Sequence, residues 1–259
     1  MPIEYYLLLG FAFVLGAVVG SFLNVCIYRI PAGESIVSPR SRCPSCGAPI
    51  RWYQNIPILS WIFLRGRCAN CRVPISVRYA LVEALTGLLF TLVLYYFGFH
   101  WATPVFWVFV ALLVTITFID LDHQIIPDVI SLPGIVLGFG ASFLLPWVSW
   151  GDSLLGILLG GGSLFLVAVG YEFLTKKEGM GGGDIKLLAM LGAFLGWKAV
   201  LPIVFISSLL GTLVGVPMML AKGADGKLAI PFGPFLAGGA VIWLFWGELL
   251  VNWYLQRFL

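Results

Sequence analysis

The chain has 259 residues, of which 60% are hydrophobic and only 10% charged, and its formal net charge is +3. Its mean hydropathy of +1.01 excludes a water-soluble globular domain, in which about a quarter of the residues are charged. Apolar runs of about 20 residues, the length that crosses a bilayer, recur along the sequence and predict an all-α polytopic membrane protein.

Eight transmembrane helices are predicted from these runs. The first lacks the basic start of a signal peptide and is interpreted as a retained span, with a cleaved leader as the alternative. The sixth is short and rich in glycine, which indicates a helix packed inside the bundle. The predicted spans are 5–27, 79–97, 104–120, 131–149, 154–175, 185–197, 199–221 and 232–254.

The fifteen Lys and Arg residues predict the orientation, because cytoplasmic loops carry an excess of both. Eight arginines lie in 28–78, and further basic residues follow the fifth and seventh spans. Placing these three connections in the cytoplasm accounts for thirteen of the fifteen. It leaves the N-terminus outside and puts the 120–130 connection inside. The predicted domains are therefore a first helix (1–27), a cytoplasmic loop domain (28–78) and a transmembrane bundle (79–259).

The loop domain contains two C-x2-C pairs, Cys43 with Cys46 and Cys68 with Cys71. Two such pairs supply the four thiolates of a tetrahedral Zn²⁺ site. Two disulfides are the alternative, but they require an oxidising compartment. About fifty residues bury little core, so a structural zinc ion would supply folding free energy. Cys26, in the first span, is predicted to be a buried, inert thiol.

Three aspartates, Asp120, Asp122 and Asp128, follow closely at the end of the third span. Carboxylates at membrane depth are costly and indicate function. A step of two residues turns a helix by about 200°, so Asp120 and Asp122 cannot face the same interior. Asp120 is nearer the apolar part of the helix and is favoured as the catalytic residue over Asp122. The other two can reach water or basic side chains.

Asp184 follows three glycines at the start of the sixth span. Gly181, Gly182 and Gly183 are predicted to tolerate positive φ values and to leave room for an extended peptide, so they would position a substrate. Helix capping is the alternative role for Asp184. If Asp120 and Asp184 face each other, they would share one proton. The ionised carboxylate would activate water while the protonated one polarises a peptide carbonyl. No G-x-S-x-G or HExxH motif offers another protease chemistry.

These residues resemble the type IV prepilin peptidases, which are bacterial GxGD-type intramembrane aspartyl proteases. The resemblance rests on GSFLNV at 20–25, YR at 28–29, both cysteine pairs with WYQNIP at 52–57 between them, RGR at 65–67, DLD at 120–122, IPD at 126–128, GGGDIK at 181–186 and PFGP at 231–234.

The resemblance implies that type IV prepilins and type II pseudopilins are the substrates, and that Asp120 and Asp184 are the catalytic pair. Cleavage is expected at the cytoplasmic face of the inner membrane, after a glycine that ends a short basic leader. Members with both cysteine pairs also N-methylate the new N-terminus with S-adenosylmethionine. The residues show no methyltransferase motif by themselves, and neither Asn24 nor Glu83 has a physical argument strong enough for a catalytic role.

An ion-coupled transporter is the alternative function, with Asp120, Asp184, Glu83 and Glu172 forming an ion path. It predicts inverted repeats, which the sequence does not show, and it leaves the four cysteines unexplained. No nucleic-acid-binding motif is found. The predicted partners are the lipid bilayer and the pilin precursors, and the oligomeric state stays open.

Overall fold

A computed structural model of the chain describes residues 3–176, 181–222 and 230–258. Within these ranges the chain is all-α, as predicted, and its only β structure is two isolated bridges in the loop domain. The α-helices of these ranges are α1 (Ile3–Arg29), α2 (Leu59–Phe63), α3 (Arg78–Phe97), α4 (Ala102–His123), α5 (Asp128–Ala141), α6 (Trp150–Thr175), α7 (Gly182–Leu195), α8 (Trp197–Lys222) and α9 (Gly233–Phe258).

Six of these helices are long and apolar enough to cross a bilayer, namely α1, α3, α4, α6, α8 and α9. The chain is therefore a multi-pass membrane protein, but the prediction of eight spans is wrong. The fourth and sixth predicted spans correspond to α5 and α7, which have 14 residues each. At 1.5 Å per residue such a helix is about 21 Å long, shorter than a hydrocarbon core of about 30 Å. The apolar sequence after α5 continues as turns instead of helix.

The chain forms two compact units, Met1–Thr115 and Ile116–Leu259, and the division falls within α4. In unit 1, α3 packs along α1 in the opposite direction. A Cβ atom on Gly16 or Gly20 of α1 would approach the backbone of α3 to 2.8 Å, so these glycines allow the two helices their close contact. The three-region division made from the sequence stays a prediction.

In unit 2 successive helices from α5 to α9 alternate in direction. Gly156 of α6 meets Gly192 of α7, and Gly160 meets Leu188 further along, so these two helices are antiparallel. The Ser207 hydroxyl of α8 donates to the Phe235 carbonyl of α9 (3.0 Å). The short helices therefore still reverse the chain, and the first turns of α5, α7 and α9 lie at one end of the unit.

Helix α7 lies in the centre of unit 2. All eight residues from Leu187 to Phe194 are buried, which confirms the prediction that the sixth hydrophobic segment is packed inside the bundle. The helix ends where Gly196 adopts a positive φ of 78°, a conformation that glycine adopts at no steric cost. Its other end carries Asp184 in the first turn.

Candidate active site and metal centre

Asp120 lies near the end of α4 and is buried, with 5% of its surface exposed. One carboxylate oxygen, Oδ2, accepts the backbone N–H of Gly233 at the start of α9 (2.9 Å). A Cβ atom on residue 233 would lie only 2.6 Å from that same oxygen. Glycine is therefore the residue that lets the backbone come close enough to donate this hydrogen bond.

Asp184 is half-buried in the first turn of α7, where Gly181 occupies the N-cap position. No side-chain capping hydrogen bond is formed at this helix start. Among the described residues the Asp184 carboxylate has no hydrogen-bond partner, so it is not held by a capping role. Burial and, second, the negative charge of Asp120 raise the pKa of Asp184 to about 6. A carboxyl group with this pKa keeps its proton under mildly acidic conditions.

Ile126 lies close to a glycine beside each of the two aspartates. A Cβ atom on Gly183, next to Asp184, would lie 2.9 Å from Cβ of Ile126. A Cβ atom on Gly233, which bonds Asp120, would lie 3.3 Å from Cδ1 of the same isoleucine. The structure therefore brings Asp120 and Asp184 to one site, walled on one side by a buried apolar residue.

An ion pair fixes the helix starts beside this site. The Lys186 ammonium group of α7 donates to both carboxylate oxygens of Asp128 in α5, at 2.6 and 2.8 Å. Both side chains are partly exposed, and an exposed ion pair contributes only about 0–1 kcal/mol. Its effect here is mainly geometric, because it aligns the first turn of α5 with that of α7. Asp128 thus has a basic partner, as the sequence predicted.

The glycines before Asp184 do not use the conformational freedom that the sequence suggested. None of the three has a positive φ, and Gly181 has an ordinary extended conformation with φ −68° and ψ 137°. A Cβ atom on Gly181 or Gly182 would meet nothing within 4 Å. These two glycines instead leave open space next to the carboxylate, whereas Gly183 is needed for contact with Ile126.

The remaining polar residues near α4 are placed differently. Asp122 and His123 are exposed, since the helix turns them away from the buried face that carries Asp120. Gly233 was not predicted from the sequence to have a role of its own, although it lies in PFGP at 231–234. A glycine directly before a proline at a helix start was the available signal, but its contact with Asp120 spans 113 residues.

The four cysteines of the loop domain form a compact cluster. Their sulfur atoms all lie within 4.8 Å of one another, and those of Cys43 and Cys71 are 3.8 Å apart. A tetrahedral Zn²⁺ with bonds of about 2.3 Å places its sulfur ligands about 3.8 Å apart. All four thiols are free rather than paired in disulfides. The cluster can therefore bind a metal ion with little rearrangement.

The two cysteine pairs have the same backbone design. Cys43 donates its N–H to the Ala48 carbonyl and Cys68 to the Val73 carbonyl, both at 2.9 Å. The fourth residue after each of these cysteines has a positive φ, 68° at Gly47 and 61° at Arg72. Gly47 thus makes the first turn, while the second turn is made by an arginine.

Hydrogen bonds to sulfur prepare the cluster for a cation. The Ala48 N–H and the Asn70 amide lower the pKa of Cys46 to about 6. At Cys71 the Val73 N–H lowers the pKa, but burial and the three neighbouring sulfurs raise it to about 11. Four thiolates cannot coexist here unless a positive charge lies between them. A divalent metal would supply that charge. Cys26 is buried in α1, away from this set.

Comparisons with known proteins cover both units. Residues 14–97 match the family model described as the bacterial peptidase A24 N-terminal domain, and residues 107–216 match that of the type IV leader peptidase family. No solved structure matches the chain.

Several curated relatives are named prepilin leader peptidase/N-methyltransferase. The chain is 49% identical to the one from Myxococcus xanthus over 83% of its own length, but spans only 64% of that relative. It is 39% identical to the one from Aeromonas hydrophila, covering 98% of this chain and 96% of the relative. The one from Pseudomonas aeruginosa is 40% identical, with 93% and 91% covered. These matches give the transporter alternative no support.

Proposed function

Because this chain belongs to the type IV leader peptidase family, we propose that it is an aspartic endopeptidase that removes the leader of type IV prepilins and type II pseudopilins. The observation that carries the proposal is the meeting of Asp120 and Asp184 beside Ile126. Its relatives named prepilin leader peptidase/N-methyltransferase, which cover nearly the whole chain, support the same activity.

The two aspartates take different roles in this mechanism. Burial disfavours the charged form of Asp120, and the hydrogen bond from the Gly233 N–H partly offsets this cost, since a donor that bonds a carboxylate favours its charged state. Asp184 has no such donor among the described residues, and its pKa is raised to about 6. We therefore assign Asp120 as the ionised base and Asp184 as the protonated acid, with one proton held between them.

Hydrolysis then proceeds without a covalent intermediate. Asp120 removes a proton from a water molecule while the water oxygen attacks the scissile carbonyl carbon. The Asp184 carboxyl group donates its proton toward the carbonyl oxygen and stabilises the tetrahedral intermediate. The proton on Asp120 passes to the leaving nitrogen, the C–N bond breaks, and Asp184 recovers its proton as the carbonyl re-forms.

Gly181, Gly182 and Gly183 would position the substrate in this scheme. The open space beside Gly181 and Gly182 leaves room for an extended segment next to Asp184. A peptide must be extended for its carbonyl to leave helical hydrogen bonding and meet the dyad. The contact of Gly183 with Ile126 would keep Asp184 at a fixed distance from Asp120.

The cysteine cluster is assigned to a structural Zn²⁺ ion held by Cys43, Cys46, Cys68 and Cys71. The separations of their sulfur atoms fit a tetrahedral site. Four protein ligands leave no open coordination position, as in structural rather than catalytic zinc sites. The Asn70 amide, which donates to Cys46 (3.6 Å), would orient this ligand and help balance its charge.

Methylation of the new N-terminus is the second proposed activity, and S-adenosylmethionine would supply the methyl group. The proposal is supported by the names of the relatives. It is also supported by a cavity of about 1220 Å³ in unit 1. This volume is larger than that of a usual small-molecule site, so the cavity is large enough to hold the methyl donor. The cavity is lined by groups of both charges, which suits a zwitterionic donor that also carries a sulfonium ion.

The proposed location is the bacterial inner membrane, with the N-terminus outside and the aspartates facing the cytoplasm. The excess of basic residues in 28–78 supports this orientation. The alternating helices of unit 2 support it as well, since the helix ends that carry Asp120, Asp128 and Asp184 lie together. The lipid bilayer and the pilin precursors are the partners proposed.

Substitution of the dyad tests the peptidase proposal. Asp120→Asn and Asp184→Asn should each reduce cleavage of a leader-bearing pilin precursor by at least about 10³-fold, because each role needs a titratable oxygen. Asp122→Asn, two residues from Asp120 and exposed, should cleave at close to the wild-type rate. The measurement is product mass after incubation with protein in detergent. Full cleavage by either dyad variant, or its loss in Asp122→Asn, would move the catalytic role away from this pair.

A further inference from the structure

Glu83 is a buried carboxylate for which the peptidase mechanism has no use. It lies in the second turn of α3 with 8% of its surface exposed, and it lines the cavity of unit 1. Its Oε2 atom accepts the Ile58 N–H (2.7 Å), and its second partner is the Ser21 side chain. Among the described residues no Lys or Arg side chain pairs with it. A carboxylate offers about four hydrogen-bond positions, so part of its capacity is left for a ligand.

The residue that Glu83 holds is strained. Ile58 has φ 62° and ψ −52°, which a β-branched side chain strongly disfavours. It is the centre of a three-residue turn in which Leu59 donates to the Pro57 carbonyl, a rare and strained arrangement. Such strain persists where the surroundings enforce it and is concentrated at functional sites.

Asn24 adds a second unused acceptor to the same cavity. It is buried in α1, and its amide nitrogen donates to the Tyr79 carbonyl (3.1 Å). Its amide oxygen has no partner within the described part of the chain, and the residue lines the cavity with Glu83. One carboxylate and one amide oxygen match a group with several N–H donors and a positive charge.

We propose that this cavity is the methyl-transfer site and that Glu83 and Asn24 bind the α-amino group of the newly cleaved protein. The inference rests on the proposed methyltransferase function. Both acceptors lie where α1 and α3 adjoin the loop domain, at one end of two membrane-crossing helices. A mature pilin-type segment, apolar and ending in a free amine, would present its charged end at this depth.

The charge changes during methyl transfer favour a carboxylate beside the amine rather than beside the sulfur of S-adenosylmethionine. The ammonium group loses one proton to solvent and reacts as a neutral amine, which still donates a hydrogen bond to the Glu83 carboxylate. The nitrogen lone pair then forms the new N–C bond as the methyl carbon leaves sulfur, and the C–S electron pair stays on sulfur as a neutral thioether. Positive charge therefore grows on nitrogen and disappears from sulfur. A negative group at nitrogen lowers the barrier, whereas one at sulfur would stabilise the starting state.

Equilibrium binding to the full chain in detergent tests the inference directly. The probes are a synthetic peptide with a free N-terminal phenylalanine and the same peptide with that amine acetylated. Wild-type protein should bind the free amine about tenfold more tightly, since a buried charged hydrogen bond is lost on acetylation. Glu83→Gln should reduce this ratio to about two or less, lower methylation at least about 100-fold, and leave precursor cleavage unchanged.

Glu34→Gln is the matched control, because Glu34 lines the same cavity but is exposed to solvent. Water screens its charge, so the free-amine preference should stay within a factor of about two of wild type. If Glu83→Gln protein loses its cleavage activity and is thus misfolded, Asn24→Ser replaces it, with an expected threefold or so reduction in the ratio.

The outcomes separate this inference from the function on which it rests. A wild-type protein that methylates but binds both peptides equally overturns the role of Glu83, as does a Glu83→Gln protein that keeps the preference. A wild-type protein that cleaves but never methylates in the presence of S-adenosylmethionine overturns the methyltransferase proposal, and this inference with it.

Discussion

The cysteine cluster of unit 1 and the aspartate site of unit 2 differ in the sequence distance over which they are built. Each cysteine pair closes a turn of a few residues, with Gly47 donating to the Cys43 carbonyl (2.9 Å). The aspartate site instead joins Asp120 to Gly233 across 113 residues. A site built from local turns can be inferred from residue spacing, whereas one built by packing is complete only after the chain has folded.

The two regions also differ in the core that supports them. Between residues 30 and 77 the only buried residues are Cys43, Gly66 and Cys68, so two of the metal ligands are most of the core. By contrast, the helix that carries Asp184 has eight consecutive buried residues. The loop domain should therefore depend on its metal, while the aspartate site should depend on helix packing.

Removal of the metal should have the largest effect and should act on one region only. Cys43→Ser with Cys68→Ser is expected to reduce bound zinc from about one per chain to none. Structural zinc sites of this type contribute about 10–16 kcal/mol of binding free energy. Limited proteolysis should then cut rapidly within 30–77 but leave the helices of unit 2 protected. Elemental analysis and mass spectrometry of the fragments provide the measurement.

Cys26→Ala controls for the loss of a buried thiol, and this variant should keep its zinc and its resistance to proteolysis. The contrast between the regions would be contradicted if proteolysis of the double variant cut both units equally fast. It would be contradicted as well if freshly reduced wild-type protein contained no metal.

A substitution at Gly233 should act on the other region. In Gly233→Ala the added methyl group would lie only 2.6 Å from Oδ2 of Asp120. Two atoms that are not bonded cannot approach this closely, so the Asp120 side chain must move. This displacement of the Asp120 carboxylate is expected to lower kcat about 100-fold. The zinc content should be unchanged. The measurement is the rate of precursor cleavage together with elemental analysis.

Gly140→Ala is the matched control, because a Cβ atom at this helical position meets nothing within 4 Å. Its rate should stay within a factor of about two of wild type. Equal rates for the two variants would mean that the Gly233 contact does not position Asp120.

The same contrast explains how much could be predicted from sequence. Composition predicts the all-α membrane fold, and C-x2-C spacing predicts the cluster, since both depend on nearby residues. The number of spans could not be predicted, because the hydropathy of the apolar run 131–149 does not show that α5 ends at Ala141. For a related reason Gly233 was missed and Glu83 could not be given a role. Their importance depends on partners from distant helices or loops, Asp120 and Ile58.

The pH dependence of cleavage should show a graded effect and tests the charge coupling within the aspartate site. The pKa of Asp184, raised to about 6 by burial and by Asp120, means that the acid is protonated below this pH and loses its proton above it. The form with one shared proton therefore declines as the pH rises, and kcat/KM should fall about tenfold per unit above about pH 6. Rates between pH 5 and 8 at constant ionic strength measure this decline, and zinc analysis of the same samples separates it from loss of the metal. A rate independent of pH over this range would contradict the shared proton, and the aspartates would then need another way to supply acid and base.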